Sequence, residues 1–169
     1  MEADRHEQRL VLRVLAQWQA LCAEGALPRR SQIDPAHFGK DWMNCLLIDI
    51  DPRPERSRFA FVGDRLRDPC WPTLERQAIG DCQENTLLHL ATSYIPRVLS
   101  KGVPVSTGGV GIHQSVPIVY RSILLPLSEG DGRIDGVLGA ANYREIPVTI
   151  EMHPFREHPL RTLATAAQG

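Results

Sequence analysis

Apolar side chains in the first 24 positions recur at the spacing of a helix. Apolar residues alternate there with Arg, Gln and Glu. The spacing predicts a helix over about residues 5–24 with one apolar stripe, made of Val11, Val14, Trp18 and Leu21. Gly25 suits the position just past a helix end, and Pro28 prevents continuation. Two heptads are too few for an independent coiled coil, so the stripe must pack on its own domain or on a second copy of the chain.

Two short segments in the first half have the alternation of β-strands. Residues 45–51 place Leu46, Ile48 and Ile50 on one face of an extended chain. Residues 58–63 form a second β-rich segment after a charged, proline-containing turn. The two segments together predict a β-hairpin.

The second half predicts one longer helix followed by three strands. Residues 85–101 carry an apolar stripe at helical spacing, and Gly102 ends the predicted helix. Pro96 lies inside it and predicts a kink or displaced hydrogen bonds. Three β-rich segments separated by glycine-rich turns follow, over about residues 103–112, 116–128 and 134–143. The middle segment is apolar on both faces, so we expect both faces of the sheet to be covered.

Length and charge narrow the class of protein. We expect one domain in 169 residues, divided into an N-terminal helix (1–26), the domain itself (27–146) and a C-terminal tail (147–169). The net charge of -1 gives no general attraction to nucleic acid. No apolar run approaches the roughly 18 residues of a membrane span, and the charged N-terminus does not have the pattern of a secretory signal. We therefore expect a cytoplasmic protein with no membrane span and no nucleic-acid partner.

The sequence carries no recognised catalytic or metal-binding motif. Neither Gly-x-Ser-x-Gly nor His-Glu-x-x-His occurs, so we predict that the chain is not an enzyme. Four cysteines are present, none in a Cys-x-x-Cys pair or at zinc-finger spacing from a histidine: Cys22, Cys45, Cys70 and Cys82. We expect reduced thiols in or near the core and no metal.

The order of elements and several blocks of sequence resemble a known family. The most specific block is Tyr120-Arg-Ser-Ile-Leu-Leu-Pro-Leu-Ser, with Gly-Asp-Gly-Arg-Ile-Asp-Gly-Val-Leu-Gly after it. Leu27-Pro-Arg-Arg-x-x-Ile-Asp-Pro and Gly102-x-Pro-Val-Ser add to it. These blocks are similar to a bacterial subfamily of PAS domains, short stand-alone proteins with an N-terminal helix before the core. The resemblance covers about residues 10–145, but Arg67-Asp-Pro-Cys-Trp-Pro-Thr departs from the subfamily pattern.

The resemblance implies an α+β fold and a place for a ligand. The fold would be PAS-like, with a five-stranded antiparallel sheet, short helices on one face and the N-terminal helix. PAS sheets fold around a small hydrophobic cavity, for which the candidate lining residues are Phe61, Trp71, Leu87, Tyr94 and Tyr120. The stripe Val11, Val14, Trp18 and Leu21 is the candidate output or dimer surface, and we expect a homodimer.

Two cofactors known from PAS sensors have incomplete motifs here. Haem would need an axial histidine, and His89 lies on the helix before the last three strands, where some PAS sensors place one. Helical spacing turns His89 away from the apolar stripe. Flavin photochemistry would need Asn-Cys-Arg-Phe-Leu-Gln, of which the segments around Cys45 and Cys82 keep only fragments. We therefore predict no cofactor.

The resemblance indicates a non-enzymatic sensory or regulatory module. We expect it to bind a small molecule or a partner protein and to signal through protein contacts. One alternative is an interaction adaptor with a filled core and no ligand. A second alternative is a cyclic-dinucleotide receptor, since arginines that can bind phosphate cluster at Arg53, Arg56, Arg58, Arg65 and Arg67.

Overall fold

The described part of the chain contains four α-helices and five β-strands, joined by turns and short 3₁₀ helices. A computed structural model describes residues 2–67 and 75–147, with side chains from residue 9 onward. The helices are α1 (Glu2–Leu21), α2 (Pro35–Phe38), α3 (Leu87–Thr92) and α4 (Ile95–Lys101). The strands are β1 (Cys45–Asp49), β2 (Arg58–Val62), β3 (Val105–His113), β4 (Val116–Leu127) and β5 (Gly136–Glu145). No helix within these residues is long and apolar enough to cross a bilayer.

The strands form one antiparallel sheet in the order β2-β1-β5-β4-β3. The predicted hairpin of β1 and β2 forms, and β1 also pairs with β5, which joins the two halves of the chain in one sheet. β3 and β2 are the edge strands. The α+β fold with a five-stranded antiparallel sheet is therefore confirmed, whereas the domain boundaries stay a prediction.

The helix predicted over residues 85–101 is two helices and not one kinked helix. α3 ends at Thr92, α4 begins at Ile95, and Pro96 lies in the first turn of α4. Proline lacks an N–H and its ring clashes with the carbonyl four residues earlier, so it is tolerated at a helix start but not inside a helix. The break sets Tyr94 at the N-cap of α4, with its side chain in the core.

The sheet separates two apolar cores, and β1, β2, β4 and β5 contribute alternate side chains to both. The face that packs with α3 and α4, here called the helical face, carries Leu46, Ile48, Phe59, Ile118, Tyr120, Leu124 and Val137. The opposite face packs against α1, and this α1 face carries Cys45, Leu47, Ile123, Leu125, Leu127, Leu138 and Ala140. Both faces of the sheet are covered, as predicted.

A β-bulge in β2 places Phe61, one of the predicted cavity residues, on the α1 face of the sheet. Leu47 pairs with Phe61 and Ile48 pairs with Phe59, so Ala60 is the extra residue between them. Without the bulge, Phe59 and Phe61 would share one face. With it, Phe59 lies on the helical face, while Phe61 joins the α1 core and stacks on Trp42 with ring centroids 4.5 Å apart. The prediction that Phe61 shares a surface with the other cavity candidates is therefore wrong.

The apolar stripe of α1 packs on the sheet of its own chain. Val14 is 1% exposed and Trp18 is 6% exposed, Val11 is also buried, and Leu21 is half-buried. The Trp18 indole Nε1 donates a hydrogen bond to the Pro126 carbonyl oxygen at 3.0 Å. The stripe is thus buried against the sheet of its own chain while α1 is docked, and its role as an output or dimer surface stays a prediction.

Candidate functional site

The helical face brings together three of the five predicted cavity residues. Leu87, Tyr94 and Tyr120 belong to the same buried cluster between the sheet and helices α3 and α4. Phe61 lies on the α1 face, and Trp71 lies outside the described residues. The assignment of these side chains to a ligand cavity stays a prediction.

A polar pair is buried in this apolar cluster. The hydroxyl groups of Tyr94 and Ser122 form a hydrogen bond of 2.9 Å, and Ser122 is fully buried. Burial raises the pKa of Tyr94, an effect that the hydrogen bond to Ser122 partly opposes. The phenol therefore stays protonated at neutral pH and can act as a hydrogen-bond donor. A few polar groups among apolar side chains are typical of a small-molecule site.

A histidine on β3 fixes the start of α3. The His113 side chain is 5% exposed, and its Nδ1 accepts a hydrogen bond from the backbone N–H of Leu87 at 3.0 Å. This bond satisfies one of the free N–H groups at the N-terminus of α3. The ring of His113 also meets the ring of Tyr143 edge-on, with centroids 4.9 Å apart. Sequence reasoning missed His113, because no local pattern relates a strand residue to a helix start 26 positions earlier.

The three residues considered as cofactor ligands, His89, Cys82 and Cys45, lie in different parts of the structure. His89 is half-buried on α3 and is not part of the apolar cluster, in line with its predicted orientation away from the apolar stripe. Cys82 is inside the cluster, and burial, together with the neighbouring Asp81, raises the pKa of its thiol to about 11. Cys45 lies on the α1 face, where burial and Asp41 raise its pKa to about 12. Neither thiol is a nucleophile at neutral pH, and the absence of a cofactor stays a prediction.

No group of three or more potential metal ligands occurs within the described residues. The acidic side chain of Asp49 points to solvent and forms an ion pair with Arg30. Cys70 lies outside the described residues. The prediction that the chain binds no metal is untested by this observation.

Three clefts open between the elements of the described chain. A cleft of about 730 Å³ lies between the end of α4, the turn after β1 and the β4–β5 loop, and includes Ile50, Leu99 and Ile134. A cleft of about 570 Å³ lies between α1, the turns before β1 and after β2, and the end of β5. A third, of about 330 Å³, lies between α1 and β3. None of these three includes Leu87, Tyr94 or Tyr120 among its described lining residues.

Comparison with known proteins agrees with the architecture. An open antiparallel sheet of five strands, with short helices on one face, defines a PAS-type α+β domain. The family model for the PAS domain matches residues 6–142, and the chain belongs to this family. A comparison with curated proteins finds no significant match.

Solved structures of light-sensing domains are among the structural matches to this chain. One is the light state of the LOV domain of the blue-light photoreceptor Aureochrome1, with 14% identity and a TM-score of 0.42, covering 62% of this chain and 88% of that chain. Another is a fungal LOV domain photoreceptor, with 12% identity and a TM-score of 0.43, covering 80% of this chain and 91% of that chain. Similarities at this level carry no inference about a cofactor.

Proposed function

We propose that this chain is a cytoplasmic, non-enzymatic PAS module that binds a small molecule or a partner protein and signals through protein contacts. The membership in the PAS domain family supports a sensory role. Its placement in a bacterial stand-alone subfamily rests on the sequence blocks alone and is part of the same proposal.

The observation that carries the proposal is that β4 contributes to both cores. Ser122 and Leu124 lie on the helical face, where the Ser122 hydroxyl is hydrogen-bonded to the Tyr94 phenol. Ile123 and Leu125 lie on the α1 face, and the Pro126 carbonyl of the same strand accepts the hydrogen bond from Trp18. A ligand that shifts β4 from the helical face therefore changes the surface on which α1 docks. Such a ligand acts by its different affinity for the docked and undocked arrangements.

Native mass spectrometry of the freshly purified protein tests the presence of a ligand. We expect an added mass that disappears under denaturing conditions, and hydrogen exchange in α1 that changes once this molecule is removed. If the native and denatured masses agree and the exchange in α1 does not respond to candidate ligands, the adaptor with a filled core is the better description. That alternative is supported by the dense packing of the helical face, where Leu87, Ile95 and Leu124 are fully buried.

Two of the five arginines in the predicted cluster are already engaged, which weakens the cyclic-dinucleotide alternative as first drawn. Arg58 donates a hydrogen bond to the Arg76 carbonyl oxygen, and Arg67 forms ion pairs with Asp64 and Glu75. Arginines that are already engaged offer a phosphate fewer free donors.

We propose that the expected homodimer forms through the β3 edge rather than through the α1 stripe. β3 is nine residues long and carries no Lys, Arg, Asp or Glu. Val110 is 72% exposed and Ile112 is 47% exposed on it. A long, uncharged edge strand is a template for pairing, and two copies can pair antiparallel without like-charge repulsion.

A further inference from the structure

The cleft between α1 and the end of the sheet is lined mainly by polar and cationic side chains. It has a volume of about 570 Å³, within the usual range for small-molecule sites. Four parts of the chain line it: α1, the turn before β1, the turn after β2 and the end of β5. The lining residues are Leu10, Arg13, Lys40, Asp41, Asn44, Arg65, Asn142 and Tyr143. Neither Tyr94 nor Ser122 is among its described lining residues, so its test is independent of the function proposed above.

A glycine allows the two cationic turns of this cleft to meet. Lys40 lies on the 3₁₀ turn Gly39–Asn44, and Arg65 lies on the 3₁₀ turn Asp64–Leu66. Gly63 precedes the second turn, and a Cβ atom at this position would lie less than 3.0 Å from the Met43 and Trp42 carbonyl oxygens. Any other residue would push the turns apart, because backbone atoms cannot yield as a flexible side chain can.

The cleft is positively charged, although the net charge of the whole chain is -1. Three cations and one carboxylate line it, which gives the wall a net charge of +2. Arg13 is held by Asp41 through two hydrogen bonds of 2.6 and 2.7 Å. Lys40 and Arg65 form no ion pair with any other described residue, so both are available to an anion.

Two amide side chains add directional hydrogen bonding to this charge. Asn44 is 8% exposed, and its Nδ2 donates to the Ala141 carbonyl oxygen at 3.1 Å. The Oδ1 of Asn142 is buried and has no hydrogen-bond partner among the described residues. A buried acceptor without a partner is costly, and a ligand with an O–H or N–H donor would satisfy it.

We propose that this cleft binds a small phosphorylated molecule of nucleotide size. A phosphomonoester carries a charge of about -1.5 to -2 at neutral pH, which matches the wall. The Lys40 ammonium and the Arg65 guanidinium are suitable ligands for its oxygens. A hydroxyl or amino group of the same molecule donates to Asn142, and Tyr143, a residue that is 36% exposed, offers an apolar contact. Because Leu10 and Arg13 belong to α1, the bound molecule ties α1 to the PAS core.

Calorimetric titration with pyrophosphate, GMP, cyclic di-GMP and citrate tests the site and the class of ligand. We expect the wild-type protein to bind at least one of the three phosphate compounds in a one-to-one complex, and citrate at least tenfold more weakly. Lys40→Gln and Arg65→Gln should each weaken binding at least about tenfold, since each removes a hydrogen bond to a charged group. Arg53→Gln and Arg56→Gln change the charge equally at exposed positions outside the cleft and should alter affinity less than twofold.

The relative affinities distinguish the source of the phosphate. Binding of pyrophosphate as tight as that of GMP supports a plain phosphate site, whereas tighter binding of GMP or cyclic di-GMP supports a nucleotide. Absence of binding by all three at millimolar concentration overturns the proposal, and so does an equal loss in the control variants or an equal affinity for citrate. In the wild-type protein, NMR shifts of the Asn44 and Asn142 side-chain amides map the site without any substitution. Shifts confined to other residues would place the ligand elsewhere and refute the assignment.

Discussion

The Tyr94–Ser122 hydrogen bond couples α4 to the central part of the sheet, and its removal can be measured. The two hydroxyl groups are 2.9 Å apart, Tyr94 is 6% exposed, and Ser122 is fully buried. Tyr94→Phe keeps the ring and leaves the Ser122 hydroxyl without a partner. Ser122→Ala in turn leaves the Tyr94 phenol without a hydrogen-bond partner.

Each single substitution should therefore cost the desolvation of one buried polar group, about 1–3 kcal/mol. The double variant removes both polar groups together. It should lose at least about 1 kcal/mol less stability than the sum of the two single losses. In a chain of this size, each kcal/mol corresponds to about 2–4 °C in Tm.

Urea unfolding of the wild type and the three variants, followed by circular dichroism, gives the four free energies of unfolding. Strictly additive losses would refute the reasoning, because they would show that the two hydroxyl groups do not satisfy each other. An unchanged stability in Tyr94→Phe would also refute it. A change in the urea m-value would indicate that a variant alters compactness rather than one hydrogen bond.

The same phenol should make stability depend on alkaline pH. Burial raises the pKa of Tyr94 in the folded state above its unfolded value of 10.0. The folded state thus retains the proton that the unfolded state loses, so this contribution is complete below pH 10 and declines as pH rises above it. One group contributes a slope of at most about 1.4 kcal/mol per pH unit. Tyr94→Phe should lose this slope, whereas Tyr143→Phe, at a more exposed position, should retain it. Equal slopes in the wild type and in Tyr94→Phe would contradict the assignment of the pH dependence to Tyr94.

Three further predictions address α1, the thiols and the dimer. Trp18→Ala should cost about 3–5 kcal/mol in urea unfolding, against less than about 0.5 kcal/mol for the exposed Gln19→Ala; similar losses would contradict the docking of α1. Maleimide labelling followed by peptide mass analysis should modify the half-buried Cys22 well before Cys45, whose pKa is raised to about 12, and equal rates would show that the α1 core opens freely. Val110→Lys should halve the sedimenting mass of the proposed homodimer, and an unchanged dimer would place the interface away from the β3 edge.

Much of the sheet follows from local pattern. The alternation of Leu46 and Ile48 against Cys45 and Leu47 predicts two faces on β1, and these residues do separate into the two cores. Period-two alternation is enough to predict the faces of β1 because β1 pairs with β5 without a bulge. The register runs unbroken from Cys45 opposite Ala140 to Asp49 opposite Gly136.

The misplacement of Phe61 has a different origin. A bulge depends on how two strands pair, and the sequence of β2 alone contains no signal that Ala60 is left unpaired. The separation of α3 from α4 was only partly visible, since Pro96 indicates a disturbance without deciding between a kink and a break. A tertiary contact favours the break over a kink, because the break allows the Tyr94 side chain to reach Ser122.

The role of the α1 stripe could not be decided from its spacing, because the same stripe serves a core or a dimer. The partners that decide it are distant in sequence: the Pro126 carbonyl for Trp18, and Asp41 for Arg13. Burial of a large apolar side chain contributes about 1.5–3 kcal/mol, so exposing Val11, Val14 and Trp18 together costs at least about 4 kcal/mol. The undocked state then accounts for fewer than about one molecule in a thousand. A signal that releases α1 must therefore come from a ligand with at least a thousandfold preference for the undocked state, whereas a ligand that ties α1 to the core only reinforces a state already favoured.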